Sequence, residues 1–129
     1  MLSIQTHLFL NILAFINGLF LIFIGKELIN KKVQSWGYLN LIIGIGVILV
    51  DFVFITNLIK GDFLSLNLHL LFELLGICAG ILLTCSGCKV LQKIKTKRFR
   101  FLAKLNIFFG ISYILVDGFL FMQNIGVFK

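Results

Sequence analysis

The sequence predicts an all-α integral membrane protein, a bundle of four transmembrane helices built from two tandem helical hairpins. Of its 129 residues, 60% are hydrophobic, 15 are phenylalanines, and the mean hydropathy is +1.08. Soluble domains are about 45–50% apolar, and a soluble chain of this length cannot bury so much apolar surface. Because the hydrophobicity is continuous rather than alternating, it favours helices over a β-barrel.

Four apolar windows, at 8–24, 37–55, 68–90 and 102–127, predict the transmembrane helices. Each approaches or exceeds the ~20 residues that cross a bilayer, and Lys26 can extend the first by snorkelling. We therefore predict a single transmembrane domain over residues 1–129. The chain begins without the basic segment and cleavage pattern of a signal peptide, so we expect the first helix to be retained.

The basic residues predict the orientation of these helices. Ten of the 12 lysines and arginines flank the first and third predicted loops, and only Lys60 and Lys129 lie on the other side. The positive-inside rule then puts both termini outside and the basic loops in the cytoplasm, with the chain in the plasma (inner) membrane. We interpret the net charge of +7 as this topology signal and as attraction to anionic headgroups, not as nucleic-acid binding.

The chain contains an internal repeat. Residues 39–51 (LNLIIGIGVILVD) and 105–117 (LNIFFGISYILVD) are identical at eight of 13 positions, with an offset of 66. A fainter similarity with an offset of 62 aligns His7 with His69 and Asn11 with Glu73. The repeats, 7–56 and 69–127, each cross the membrane twice, which predicts parallel hairpins related by a pseudo-twofold axis along the membrane normal. The change from 62 to 66 predicts four extra residues in the basic third loop.

Small residues recur at helical spacing in both repeats. Gly18 and Gly80 lie on stripes of the first and third helices, and Gly44 and Gly110 lie on the matching stripes of the second and fourth. Small side chains let helix backbones approach closely in lipid. We therefore predict that these four glycines pack the helices together.

The outer ends of the same stripes carry polar side chains. Ionisable residues are costly inside a membrane and often mark functional sites, and a carboxylate beside a histidine titrates together with it. We expect the duplicated acids to converge with the histidines in the outer leaflet, with Asn17 lining a path and Tyr113 bonding within the bundle. The candidate solute- or proton-binding residues are Asp51, Asp117, His7, His69, Glu73, Asn11, Asn17 and Tyr113.

Two other interpretations of this polar cluster stay open. The contacts can simply clamp the hairpins together without any ligand. The side chains also include suitable ligands for a transition metal, but they lack a local spacing motif. We predict neither a metal nor a cofactor.

The cysteines raise an enzyme hypothesis. Cys85 and Cys88 form a C-x-x-C at the predicted cytoplasmic end of the third helix, as in four-helix membrane thiol oxidoreductases that reduce quinone. Those enzymes use a further cysteine pair, and cytoplasmic thiols stay reduced. We therefore expect these thiols, with Cys78, to be small buried apolar groups, and an enzyme is the lesser hypothesis.

Two parts of the chain carry a family resemblance. Their residues are Asn17-Gly18-Leu19, Gly25-Lys26, Lys32 and Asn40 with Gly44 in the first hairpin, and Leu70-Leu71-Phe72 at the start of the third helix. These segments resemble the proton-gated urea and short-amide channel family. The resemblance implies a passive pore for small uncharged amides that works as a homo-oligomer, although that family has six helices per chain and this sequence predicts four.

The sequence thus favours a small channel or transporter for a polar solute or ion, sensitive to protons. Four helices enclose little volume, so a path would form between subunits of a homo-oligomer. The alternative is a non-transporting accessory or immunity subunit whose stripes bind a partner membrane protein. The expected partners are the lipid bilayer and either further copies of the chain or another membrane protein. We expect no binding of nucleic acid.

Overall fold

The computed structural model describes residues 4–29, 34–60 and 66–126, which are almost entirely helical. The helices are α1 (Ile4–Ile29), α2 (Gln34–Ile59), α3 (Leu66–Lys93) and α4 (Lys97–Asn124). Each contains a stretch long and apolar enough to cross a membrane. The prediction of an all-α protein with four helices able to span a membrane is therefore confirmed. Lys31, Lys32 and Lys129, which contributed to the predicted orientation, lie outside the described residues.

Two threonine hydroxyl groups bond within their own helices, which suits an apolar surrounding. Thr56 Oγ1 donates a hydrogen bond to the carbonyl oxygen of Phe52 at 2.8 Å, and Thr84 Oγ1 donates to that of Gly80 at 2.8 Å. Each acceptor lies one helical turn earlier, so the hydroxyl needs no partner from another helix.

The helices pack in pairs. Helix α1 packs against α2 to form hairpin 1, and α3 packs against α4 to form hairpin 2. In hairpin 1 a Cβ on Gly44 would lie 2.8 Å from the carbonyl oxygen of Gly18, and a Cβ on Gly37 would lie 2.8 Å from that of Gly25. Glycine is thus required where the backbones of α1 and α2 are closest.

Hairpin 2 has the same kind of contact. A Cβ on Gly80 would lie 2.5 Å from the carbonyl oxygen of Gly110, and a Cβ on Gly110 would lie 2.6 Å from that of Gly80. Further along, a Cβ on Gly87 would lie 2.7 Å from the carbonyl oxygen of Ala103. These distances leave no room for a side chain at Gly80 or Gly110.

The two hairpins share one internal register. From hairpin 1 to hairpin 2, contact positions on the first helix move by 62 (18 to 80, 25 to 87) and those on the second by 66 (44 to 110, 37 to 103). Burial follows the same offsets, since Leu21 and Leu83 are fully buried, as are Asn40 and Asn106. The repeat seen in the sequence is therefore also a repeat of helix packing within each hairpin.

We had expected the four extra residues of the second repeat to lie in the basic third loop, but they are not confined to it. Helix α3 continues to Lys93 and α4 begins at Lys97. Lysine and arginine are good helix formers, and Arg100 Nη1 donates a 3.1 Å hydrogen bond to the carbonyl oxygen of Leu91 near the end of α3. Only residues 94–96 lie between the two helices, so the four extra residues cannot all lie in a loop.

The outward faces of all four helices are apolar. Phe9 on α1, Phe52 on α2, Leu71 on α3 and Phe108 on α4 are each at least half exposed. A soluble monomer rarely exposes contiguous apolar patches larger than a few hundred Å². Lipid is the natural surrounding for such a surface.

Candidate functional site

Hairpin 2 holds two carboxyl groups between its helices. Glu73 on α3 is buried, with 7% of its surface exposed. Asp117 on α4 lies against Gly76, one turn after Glu73: a Cβ at Gly76 would overlap Asp117 Oδ2 and lie 2.6 Å from Asp117 Cγ. Asp117 is also close enough to Glu73 to interact with it electrostatically. Because Gly76 has no side chain, the carboxyl group of Asp117 fits against α3.

A residue that sequence reasoning missed completes this site. Asn124 Nδ2 donates a 2.6 Å hydrogen bond to Glu73 Oε1, which ties the end of α4 to α3. The Oε2 atom of Glu73 is buried and has no hydrogen-bond partner among the described residues. Asn124 was missed because its counterpart in the first repeat is Leu58. Its spacing of seven residues from Asp117, two turns along the same face of α4, was the available signal.

The other predicted site residues of hairpin 2 flank the carboxyl groups. Tyr113 is buried one turn before Asp117 on α4. His69 is half-buried one turn before Glu73 on α3. Four predicted residues of hairpin 2 therefore share two helix faces: His69 and Glu73 lie on one face of α3, and Tyr113 and Asp117 lie on one face of α4.

Hairpin 1 repeats only part of this arrangement. Asp51 on α2 is buried, with 7% of its surface exposed. Because Gly18 lies against Val47 and the helices are antiparallel, Ala14 is at the level of Asp51, one turn beyond on each helix. Ala14 therefore stands where hairpin 2 has Gly76.

The remaining predicted residues of hairpin 1 are less enclosed. Asn11, where hairpin 2 has Glu73, is half-buried, and so is Asn17. The side chain of His7 lies outside the described part of the structure. Each aspartate occupies the equivalent place in its own hairpin, and their convergence in one shared site stays a prediction.

The cysteines differ from our expectation. Cys78, Cys85 and Cys88 are free thiols and all three are exposed rather than buried. The contact face of α3 is instead formed by residues such as Leu83 and Gly87. The thiols point away from this face, where lipid tolerates a small apolar side chain.

Comparison with known proteins adds no relative to this geometry. No protein-family model matches the chain, and comparisons with curated proteins and with solved structures give no significant match.

Proposed function

We propose that this protein is a small inner-membrane channel or transporter for a polar solute or ion, and that protons control it through Glu73 and Asp117. The observation that carries the proposal is the buried Glu73 Oε2 atom, which has no hydrogen-bond partner among the described residues, beside Asp117. Buried polar atoms in proteins are normally paired. A carboxyl oxygen in this position is suited to accept a proton or a hydrogen bond from a polar solute.

Two neighbouring carboxyl groups suit proton control. When two carboxyl groups lie close together, binding a proton to one changes the net charge of the pair by one unit and alters the proton affinity of the other. Asn124 keeps Glu73 fixed through Oε1, while the charge on the pair changes. The charge of the site, and with it the passage of a polar solute, then depends on pH.

The second aspartate extends the proposal to hairpin 1. Asp51 is buried at the position equivalent to Asp117. We propose that a pseudo-twofold axis along the membrane normal relates the hairpins, so that both aspartates line one path. Since four helices enclose little volume, a homo-oligomer would provide the path between subunits.

Flux measurements test the proposal. In proteoliposomes, the wild type should move urea, followed by light scattering, or protons, followed by an internal dye, at a rate that differs between about pH 5 and about pH 8. Asp117→Asn and Asp51→Asn should abolish this pH dependence because an amide cannot exchange a proton. Glu27→Gln makes the same chemical change near the basic end of α1 and should retain it.

Two outcomes would contradict the proposal. Equal pH dependence in Asp51→Asn, Asp117→Asn and the wild type would remove the carboxyl groups from any control of flux. Wild-type vesicles that are no more permeable to either probe than protein-free vesicles would remove the transport function and favour an accessory subunit.

We also propose that both termini lie outside, and labelling tests this. Lys60 and Lys97 are both exposed, so only the membrane should limit their access to reagent. With Cys78, Cys85 and Cys88 replaced by serine, Lys60→Cys should react with an impermeant maleimide in intact cells. Lys97→Cys should react only after permeabilisation. The reverse pattern would invert the topology.

A further inference from the structure

The connection between α3 and α4 is strongly basic. We define the basic tip as residues 89–104, which contain seven basic and no acidic residues and so carry a formal charge of +7, as much as the whole chain. The nearest acids along the sequence are Glu73 and Asp117. The basic residues of the tip are Lys89, Lys93, Lys95, Lys97, Arg98, Arg100 and Lys104.

The structure makes the basic tip an ordered surface. Helix α3 runs to Lys93 and α4 starts at Lys97, so only residues 94–96 are not helical. Arg100 is directed back onto α3 by its 3.1 Å hydrogen bond to the carbonyl oxygen of Leu91. The other six basic side chains are exposed. The lysines of the tip therefore lie on the ends of α3 and α4 or between them, with their ammonium groups at the surface.

The orientation of the chain does not require so much charge. The corresponding connection of hairpin 1 carries Lys26, Lys31 and Lys32 against Glu27, a net charge of +2 (3 − 1). The same positive-inside signal is thus given there by far fewer residues. The excess lies where the second repeat has its additional residues.

We infer that the basic tip binds the headgroups of anionic phospholipids. It connects the apolar windows at 68–90 and 102–127, so in a membrane crossed by α3 and α4 its cations would lie at the level of the headgroup phosphates. Exposed lysines reach phosphate from these positions because their flexible stems extend toward the interface. The surface fixes the end of hairpin 2 in an anionic leaflet. The inference is independent of the proposed transport function.

Native mass spectrometry of the full-length chain in detergent tests this surface. The protein is equilibrated with equimolar phosphatidylglycerol and phosphatidylcholine of the same acyl chains. We expect retention of phosphatidylglycerol in preference to phosphatidylcholine, and a loss of at least tenfold in this preference in Lys95→Gln/Lys97→Gln. Raising the salt concentration should weaken the preference in the wild type.

The matched control removes two charges elsewhere. Lys26→Gln/Lys60→Gln changes exposed lysines of hairpin 1 and should keep the wild-type preference. An equal loss in both double variants would overturn the inference, since net charge alone would then explain retention. Displacement of the lipid by millimolar inorganic phosphate or by an oligonucleotide would also overturn it, because the surface would then select a soluble anion.

Discussion

Gly110→Ala will force α3 and α4 apart, whereas Gly118→Ala on the same helix will leave hairpin 2 intact. A Cβ on Gly110 would overlap Thr84 Oγ1 and lie 2.6 Å from the carbonyl oxygen of Gly80 and 2.8 Å from the backbone nitrogen of Thr84. Backbone atoms cannot rotate away, so the helices must separate. A Cβ on Gly118 would have no atom within 4 Å.

The cost follows from how helices associate in lipid. Close packing, rather than removal from water, holds them together, and overpacking costs about 1–3 kcal/mol. Alanine recovers up to about 1 kcal/mol because it favours the helix more than glycine. We therefore expect Gly110→Ala to lose stability, while Gly118→Ala gains slightly.

Unfolding in mixed micelles, followed by circular dichroism and by proteolysis, measures this difference. Hairpin 1 provides an independent pair: Gly44→Ala places a Cβ 2.8 Å from the carbonyl oxygen of Gly18, whereas Gly46→Ala meets nothing within 4 Å. The same contrast should therefore appear there. Equal stability within either pair would contradict the helix contacts described above.

The helices and their register could be predicted because the signals are local and repeated. Four apolar windows dictate the helices, and Gly18, Gly44, Gly80 and Gly110 keep their spacing in both repeats. The helix ends at Lys93 and Lys97 were not predicted. Charge signals the end of an apolar stretch, but a basic helix can continue beyond it, and its final extent depends on contacts such as that of Arg100 with Leu91.

The site was predictable only where the repeats agree. Asp117 stood out because Asp51 duplicates it, and Glu73 because it aligns with a polar residue, Asn11. Asn124 has no such match and contacts Glu73 across 51 residues of sequence. The contact between Gly76 and the Asp117 carboxyl group could not be predicted either, since small residues at this spacing predict helix packing.

Gly76→Ala will therefore abolish the pH dependence of flux without unfolding hairpin 2. The atoms that meet its Cβ all belong to the Asp117 side chain: Oδ2 overlaps it, Cγ lies at 2.6 Å and Cβ at 3.3 Å. A side chain can rotate where a backbone cannot, so the carboxyl group moves away from Glu73 while the helices stay in contact. We expect stability within about 1 kcal/mol of the wild type.

The reciprocal change in hairpin 1 is the control. Ala14→Gly removes a methyl group at the level of Asp51, where alanine is already accommodated, and should change flux little. Flux in proteoliposomes and unfolding in micelles, measured on the same preparations, separate the two effects. If Gly76→Ala unfolds as readily as Gly110→Ala, Gly76 is a packing glycine and the site does not depend on it. If it is stable and its flux keeps the wild-type pH response, the position of Asp117 against α3 does not control passage.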